Sequence, residues 1–318
     1  MSHSSGGGSA RPGYVFLLLI AVAVALGGCA AASESTADSA QAAATSTPSE
    51  TSARTVRDLA YASTSPQQKL DLYLPAQAAK PAPLVIWVHG GGWRTGDKSS
   101  LAVPYDPSAS PPKPAKCTDI VQVQTPDVAA LNAKGYAVAG INYRLTRDPV
   151  TALKDAKAAI RFLRAKASSY HLDPNRFAAW GDSAGGYTVI MVGLTGGQRT
   201  VFDDPTLGNP AVSSAVQAVV DWFGPTDAES MPGKIGAAES PYTYIVAGRS
   251  LPPFRIAHGD ADCIVPMQQS RHLYQALTTA GGAATLTILP GAHHEDPAFM
   301  RTQLSPTVAF LDHTFGVA

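Results

Sequence analysis

The sequence predicts an α/β protein with a mostly parallel central sheet, an N-terminal β-hairpin, and helices on both faces of the sheet. Two observations support this prediction. From residue 55 onward, short apolar stretches typical of strands alternate with stretches in which apolar residues recur at helical spacing. The first two strands differ from the rest, because they alternate apolar with polar residues, as the half-exposed strands of a hairpin do.

The predicted strands begin with this hairpin, at Val56–Tyr61 and Lys69–Leu74. Leu84–Val88 follows and is continuously apolar, which is typical of a strand that is covered on both faces. Further strands are predicted at residues 136–141, 177–180, 218–221, 254–257 and 285–289.

The predicted helices lie between these strands. Over residues 153–167, apolar side chains recur at steps of three and four with Lys and Arg between them, which indicates an amphipathic helix. Similar stretches predict helices at residues 128–134, 184–194, 268–279 and 297–315. Residues 99–125 are rich in Pro, Ser and Lys, and we expect them to form a long surface loop near the opening of a site.

The chain divides into three segments. Residues 1–28 are predicted to be a signal peptide, because the apolar run Tyr14–Leu26 follows Arg11 and is too short to span a bilayer of about 30 Å. Residues 29–54 are mostly small and polar, so we expect a flexible linker. Residues 55–318 are the folded domain.

The end of the signal peptide, Leu26-Gly27-Gly28-Cys29, resembles the lipobox of bacterial lipoproteins. In those proteins the chain is cut before the cysteine, which is then lipidated. The resemblance implies an exported protein that is anchored to the outer face of the bacterial cell membrane through Cys29. An ordinary secretory signal and an uncleaved membrane anchor are the alternatives.

Length and charge narrow the functional classes. The chain has 318 residues, of which 45% are hydrophobic, so it is long enough to bury a substantial core. Lys and Arg number 24 and so do Asp and Glu, which leaves no net charge of the kind that attracts nucleic acid. We expect no nucleic-acid partner, and the sequence makes no prediction of oligomeric state.

A Gly-x-Ser-x-Gly motif, Gly181–Gly185, lies where a short apolar strand meets an apolar helix. In this setting the glycines permit a sharp turn that exposes the central serine, Ser183, at the start of the helix. A serine held in this way is a candidate nucleophile.

Three consecutive glycines, Gly90–Gly92, come directly after the apolar strand that ends at Val88, and His89 and Trp93 flank them. Without side chains, these residues can bring backbone N–H groups against a substrate oxygen and stabilise an oxyanion. An ordinary glycine turn is the alternative for this segment taken alone.

Six motifs in the expected order resemble the α/β-hydrolase superfamily, in particular the bacterial esterases and lipases with a His-Gly-Gly-Gly oxyanion loop, close to the acetyl-esterase and feruloyl-esterase-like branches. The motifs are Leu70–Pro75, His89–Trp93, Asn142–Leu145, Gly181–Gly186, His258–Asp262 and Gly291–His294. The resemblance implies the α/β-hydrolase fold and a serine carboxylic-ester hydrolase that acts on small or medium acyl esters. It implies no cofactor and no metal, and the substrate would be a small-molecule, carbohydrate or lipid ester.

A serine needs a base and an orienting acid, which in this fold follow it in the order serine, acid, histidine. The residues alone leave two histidines, His293 and His294, and two acids, Asp260 and Asp262. The family patterns Gly-Ala-x-His and His-Gly-x-x-Asp select His294 as the base and Asp262 as the acid.

By the same resemblance, the oxyanion donors are the backbone N–H groups of Gly91, Gly92 and Ala184. Trp93 either lines the substrate pocket or packs in the core.

The number of cysteines is consistent with an exported protein. If Cys29 carries the lipid, Cys117 and Cys263 remain, and two cysteines in an oxidising compartment can form one disulfide. The alternative is two free, buried thiols.

Two other functions stay open from the sequence. One is a different acyl hydrolase on the same fold, namely a peptidase, an amidase or an esterase of cell-envelope lipids. The other is a surface-binding module without catalysis. The presence of all three members of the triad argues against this second alternative. Metal catalysis through His293–Asp296 is disfavoured, because adjacent residues do not readily face one ion.

Overall fold

A computed structural model describes residues 53–76, 80–108, 116, 118–120, 123–227 and 236–317. The predicted signal peptide, residues 1–28, and nearly all of the predicted linker, residues 29–54, lie outside the described residues. The first strand begins at Arg54, one residue before the predicted start of the folded domain.

A single sheet organises the described part of the chain. Its eight strands are β1 (Arg54–Ala60), β2 (Lys69–Leu74), β3 (Ala82–Val88), β4 (Ala137–Ile141), β5 (Leu172–Asp182), β6 (Ala218–Trp222), β7 (Phe254–Gly259) and β8 (Ala284–Leu289). Their order is β1-β2-β4-β3-β5-β6-β7-β8. β2 is antiparallel to both of its neighbours, and all the other pairs are parallel. The predicted hairpin and the mostly parallel sheet are confirmed. The prediction that both hairpin strands are half-exposed is wrong for β2, which is buried from Leu70 to Leu74 because it lies between β1 and β4 and its Asp71 is paired with Lys98.

The helices of the described residues are α1 (Val128–Ala133), α2 (Pro149–Ala165), α3 (Ser183–Thr195), α4 (Gln268–Thr279) and α5 (Ala298–Phe315). Aspartate side chains cap the N-termini of two of these helices. The Asp127 side chain accepts a hydrogen bond from a backbone N–H of α1, and the Asp148 side chain accepts from two backbone N–H groups of α2. None of the helices in these ranges is long and apolar enough to cross a membrane.

Strand β3 shows why the sheet is covered on both faces. All seven of its residues are buried. Leu84 and Ile86 pack into one hydrophobic cluster with α2, α3 and α4, whereas Val85 and Trp87 point to the other face and pack with α1 and α5. The continuous apolar run is therefore buried in two hydrophobic cores, one on each face of the sheet, as in other sheets covered by helices on both faces.

Strand β5 is longer than its prediction, 177–180, because Leu172 pairs with Ala82 before the register shifts. Only the second half of β5 is continuously apolar, which is why the sequence indicated that half alone. Its last pairs decide where the site forms: Val88 lies opposite Gly181, so the chain leaves β3 and β5 at the same level.

The predicted surface loop, residues 99–125, is described in part. At its start the buried Lys98 Nζ binds Asp71 at 2.7 Å and Asp58 at 3.0 Å, which holds the loop to the β1–β2 hairpin. At its end Gln124 is buried and its backbone N–H donates to Glu295, next to His294. This end of the loop therefore reaches the expected site.

Candidate active site

Ser183 occupies a tight turn between β5 and α3. Its φ of +49° lies in the left-handed region, which is unfavourable for a residue with a side chain and marks a strained turn. The turn also brings the first residues of α3 against the end of β3, where a Cβ atom on Gly185 would collide with the carbonyl oxygen of Val88. Glycine at this position is what allows the close approach.

The structure brings Ser183, His294 and Asp262 into one line of hydrogen bonds. His294 Nε2 lies 2.9 Å from Ser183 Oγ, and His294 Nδ1 lies 2.7 Å from Asp262 Oδ2. An aspartate oxygen only accepts, so Nδ1 carries the imidazole proton and Nε2 is free to accept from the serine hydroxyl. This is the arrangement of a nucleophile, a base and an orienting acid.

Asp262 is held by more than His294. Its Oδ1 accepts from the backbone N–H groups of Ile264 and Val265, both at 2.9 Å, and its Oδ2 also lies 3.2 Å from His258 Nε2. Burial alone would raise the pKa of Asp262, but the hydrogen bonds from His258 and His294 outweigh burial and hold the pKa well below its usual value. Asp262 is therefore ionised.

His258 has a role that the sequence did not reveal. It is fully buried, its Nε2 lies 2.8 Å from the carbonyl oxygen of Val265, and its Nδ1 lies 2.7 Å from Ser270 Oγ. Because a carbonyl oxygen only accepts, Nε2 carries the proton and Nδ1 accepts from Ser270. The Nε2–H group is shared between Val265 and Asp262. The only signal for it in the sequence is its position four residues before Asp262.

The two alternatives within the triad point elsewhere. His293 is partly exposed, and its Nδ1 lies 3.1 Å from the carbonyl oxygen of Ala261. Asp260 is exposed and accepts from the backbone N–H of Gly291 at 2.6 Å, which ties the acid loop to the histidine loop. Neither side chain is hydrogen-bonded to Ser183.

The glycine loop lies beside the serine turn. Gly91 and Gly92 have φ values of +93° and +60°, and the carbonyl oxygen of Gly91 accepts from the N–H groups of Arg94 and Thr95 in a tight turn. Ala184 is in the first turn of α3, where backbone N–H groups have no acceptor within the helix. The three predicted oxyanion donors thus lie on two segments that leave the sheet side by side.

Tyr143, in the Asn-Tyr-Arg-Leu motif, supports the glycine loop. Its hydroxyl donates to the carbonyl oxygens of His89 at 2.8 Å and Gly90 at 3.0 Å, and its ring stacks on the His89 ring at 4.4 Å. Burial raises the pKa of Tyr143 well above its usual value, so the hydroxyl stays protonated. Burial also lowers the pKa of His89, which favours a neutral ring.

Two aromatic residues take positions that the sequence left open. Trp93 is 2% exposed and its ring meets the Tyr187 ring edge to face at 5.7 Å, so it packs in the core instead of forming an open pocket wall. Phe223, which the sequence did not single out, lies 4.6 Å from the His294 ring and limits how the imidazole can move.

Of the cysteines, Cys263 is in a disulfide. Cys117 and Cys29 lie outside the described residues, so the predicted pairing of Cys117 with Cys263 stays a prediction. In the segment His293–Asp296, His294 faces Asp262 whereas Glu295 contacts Asp182, and these side chains therefore do not converge on one point.

The BD-FAE family matches residues 70–106 and 116–237, which together make up half of the chain. The matched part contains the glycine loop and the Ser183 turn, and it ends before Asp262 and His294.

Among curated proteins, the chain is 28% identical over 270 residues to Esterase LipQ of Mycobacterium tuberculosis and 27% identical over 255 residues to Esterase LipC of the same organism. The matches cover 74% and 72% of this chain, and 56% and 57% of those proteins. The chain thus spans little more than half the length of these relatives.

Among solved structures, a truncated carbohydrate esterase from gut microbiota is similar with a TM-score of 0.66 and 26% identity, covering 83% of this chain and 97% of that one. Esterase 2 of Thermogutta terrifontis has a TM-score of 0.65 at 24% identity, covering 85% of this chain and 96% of its own. The fold is therefore the α/β-hydrolase fold, as the sequence predicted. By the extent of the family match, the chain belongs to the BD-FAE family.

Proposed function

We propose that this protein is a serine carboxylic-ester hydrolase in which Ser183 is the nucleophile, His294 the general base and Asp262 the orienting acid. The observation that carries the proposal is the continuous line of hydrogen bonds from Ser183 Oγ through His294 to Asp262. The esterase names of the relatives support it independently.

In the first half of the reaction, Ser183 Oγ attacks the ester carbonyl carbon while His294 Nε2 takes the hydroxyl proton. The electron pair of the carbonyl π bond moves onto the oxygen, which becomes an oxyanion in a tetrahedral intermediate. When this intermediate collapses, the bond to the alcohol breaks, the alcohol leaves with the proton from Nε2, and the acyl group stays on Ser183. In the second half, a water molecule gives a proton to His294 Nε2 and attacks the acyl carbon. The bond between the acyl carbon and Ser183 Oγ then breaks, Oγ takes the proton back from Nε2, and the acid leaves.

Asp262 stabilises the imidazolium that forms in each half. Its charge is available because the pKa of Asp262 is held low, and its oxygen faces the ring nitrogen that keeps its proton throughout. The amides of Ile264 and Val265 fix the carboxylate, so it need not reorganise when the ring becomes charged.

We assign the oxyanion hole to the backbone N–H groups of Gly91, Gly92 and Ala184. These donors act on the charge that develops in the transition state, and removal of one such donor typically costs about 3–4 kcal/mol. The support is their place on two adjoining segments, with Tyr143 fixing the carbonyl oxygens just before the glycine pair.

For the substrate, we propose esters of small or medium acyl groups. A solved neighbour is described as a carbohydrate esterase, and an acylated carbohydrate is accordingly one candidate for the alcohol side. Purified protein should be tested on p-nitrophenyl esters from acetate to palmitate, with acetylated sugars and feruloyl esters alongside.

The test of the nucleophile combines kinetics with covalent labelling. An organophosphate should inactivate the enzyme and add its mass to the peptide that contains Ser183. Ser183→Ala should fold normally, take no label and lose several orders of magnitude in kcat. Ser169→Ala, at an exposed serine in the turn between α2 and β5, is the matched control and should keep both the labelling and the hydrolysis. Labelling at another serine, or ester hydrolysis by the Ser183→Ala variant at more than about a tenth of the wild-type rate, would rule out the proposed mechanism.

We also propose that the protein is exported and lipid-anchored through Cys29. The support is the short apolar run followed by the lipobox-like segment that ends at Cys29. Cys29→Ser should leave an unprocessed precursor or release the protein from membranes, because stable anchoring needs more than one acyl chain. Normal processing together with an unchanged membrane fraction would contradict the proposal.

A further inference from the structure

Two buried acids flank the catalytic residues along the chain. Asp182 immediately precedes Ser183, and Glu295 immediately follows His294. Their exposed fractions are 0% and 4%, and their carboxyl groups are in hydrogen-bond contact with each other. The mechanism above uses neither of them.

The pair joins four segments that meet at the site. The backbone N–H of Gln124, at the end of the 99–125 loop, donates to Glu295 Oε2 at 3.0 Å. The backbone of Gly90, in the glycine loop, packs against the Asp182 side chain. The contact is close enough that a Cβ atom on Gly90 would lie 2.5 Å from Asp182 Oδ2. The serine turn, the histidine loop, the glycine loop and the 99–125 loop thus all touch one pair of carboxyl groups.

The contact between the two acids requires a proton. Carboxylate oxygens only accept, so two ionised acids cannot form a hydrogen bond. Among the described residues, neither oxygen of Asp182 receives a well-aligned hydrogen bond from an N–H or hydroxyl donor. A buried carboxylate left without a donor would be strongly destabilising. A protonated Glu295 provides the missing donor.

The groups around the pair favour the same protonation state. Asp262 is ionised and adds a negative charge nearby, while His89 is neutral because burial lowers its pKa. His294, the proposed general base, lies beside the pair. Burial, and then the charge of Asp182, raise the pKa of Glu295 well above its usual 4.5. No cation in this set would stabilise two negative charges.

We propose that Asp182 and Glu295 share one proton and form a positioning pair that fixes the serine turn, the histidine loop and the glycine loop relative to one another. The proposal rests on the proposed ester hydrolysis for its effect on rate. The pair touches no reacting atom and acts through its neighbours, Ser183 and His294.

Backbone strain fits this role. Glu295 has a φ of +57° and Ser183 a φ of +49°, so the chain is left-handed at both places where it passes the pair. A left-handed conformation is unfavourable for a residue with a side chain and persists only when its surroundings hold it. The hydrogen bond between the acids is a contact that can hold Glu295 there.

Ionisation of the pair makes the activity depend on pH. When the shared proton leaves, two like charges face each other in a buried site and repel. The two loops that carry Ser183 and His294 then move apart, and kcat falls more than KM rises. A glutamine at position 295 imitates protonated glutamate, since its amide donates to Asp182 and its oxygen accepts from Gln124, but it has no proton to lose.

The kinetic test compares Glu295→Gln, Glu295→Ala and the control Glu239→Gln, a partly exposed glutamate, by pH-stat titration of ester hydrolysis. We expect Glu295→Gln to keep kcat within about threefold near neutral pH and to lose less activity than the wild type at alkaline pH. We expect Glu295→Ala to lower kcat about tenfold or more at every pH, with a smaller change in KM. Equal losses in the Gln and Ala variants, or an alkaline profile that Glu295→Gln leaves unchanged, would overturn the proposal.

A second test detects the shared proton by infrared spectroscopy and does not depend on enzyme activity. In the inactive Ser183→Ala background, infrared spectra should contain the carbonyl band of protonated carboxylic acids at a pH below the pKa of Asp221. Asp221 is the matched reference, because burial raises its pKa to about 8. Asp221→Asn should remove one component of the band and Glu295→Gln a second.

If Glu295→Gln leaves the band unchanged, the pair holds no proton and the proposal fails, whatever the kinetics show. Because the measurement uses a variant without its nucleophile, this result is independent of whether the protein hydrolyses esters. Failure of the proposed function would instead show as no ester hydrolysis by the wild type above the level of Ser183→Ala.

Discussion

His258 Nε2 lies 3.2 Å from Asp262 Oδ2, the same carboxylate oxygen that lies 2.7 Å from His294 Nδ1. One aspartate oxygen is thus shared by two imidazoles of different function. His294 faces the serine, whereas His258 is fully buried behind the acid and turned by Ser270 so that its proton faces Asp262 and Val265. The acid of the triad is fixed from both sides.

Replacing His258 should therefore loosen the acid of the proposed triad. In His258→Leu, Asp262 loses one of the hydrogen bonds that lower its pKa and hold its carboxylate against His294, so the carboxylate is less well positioned. We expect kcat/KM to fall about tenfold near neutral pH. His272→Leu, at an exposed position of α4, is the control and should keep the wild-type kcat/KM. A kcat/KM of His258→Leu equal to that of His272→Leu would show that His258 does not support Asp262.

The neighbouring histidines offer a matched pair. His294→Ala should lower kcat by several orders of magnitude, because members of a triad act as a unit. His293→Ala should cost much less, since His293 contacts the Ala261 carbonyl oxygen and not the serine. The two variants can be compared in one assay with circular dichroism as a check on folding. The reverse order of effects would move the base to His293.

Tyr143→Phe should separate support of the glycine loop from stability. The variant keeps the stacked ring but loses the hydrogen bonds to His89 and Gly90, so we expect kcat to fall several-fold and the free energy of unfolding to drop by about 1 kcal/mol. Tyr136→Phe is the control, because it removes a 2.7 Å hydrogen bond to Asp312, a residue of α5. It should lose similar stability and keep kcat. Equal kcat in the two variants would argue against a catalytic effect of the loop.

Asp221 should make stability depend on pH. Burial raises its pKa to about 8 from the usual 3.8, so the folded state binds its proton more tightly than the unfolded state does. Its contribution to stability is complete below about pH 4 and declines as the pH rises toward about 8, by several kcal/mol in all. In Asp221→Asn this decline should vanish, so the Tm difference between variant and wild type should shift in favour of the variant with rising pH. A difference that does not change with pH would contradict this.

The disulfide of Cys263 should pair with Cys117. The chain has three cysteines, so the partner is Cys29 or Cys117, and we propose that Cys29 is used for lipidation. The link would stabilise the fold by about 2–5 kcal/mol and hold the loop next to Asp262. Reduction, Cys117→Ser and Cys263→Ser should each lower Tm and activity alike. Mass mapping without reduction that links Cys263 to Cys29 would overturn the pairing.

Much of the fold was readable from local pattern. The apolar run ending at Val88 indicates a strand buried on both faces, and the strand and helix around Ser183 place it in a turn. The alternation in Lys69–Leu74 predicted a half-exposed strand, which was wrong, because the polar Asp71 is buried as the partner of Lys98. Strand β5 was predicted too short, because its first half depends on pairing with Ala82 and carries no apolar run of its own.

The sequence by itself determined the order and type of the elements, the serine turn and the glycine loop, because these follow from periodicity and from residues whose conformational limits are local. The family patterns selected His294 and Asp262, and the tertiary structure shows them in line with Ser183. Only the tertiary structure decided that Trp93 packs in the core and that Phe223 and His258 contact His294 and Asp262. It also decided that Asp182 and Glu295 touch, although 112 residues lie between them in the sequence. Such contacts depend on where the carboxyl ends of parallel strands meet, and that is set by the register of the whole sheet rather than by neighbours in sequence.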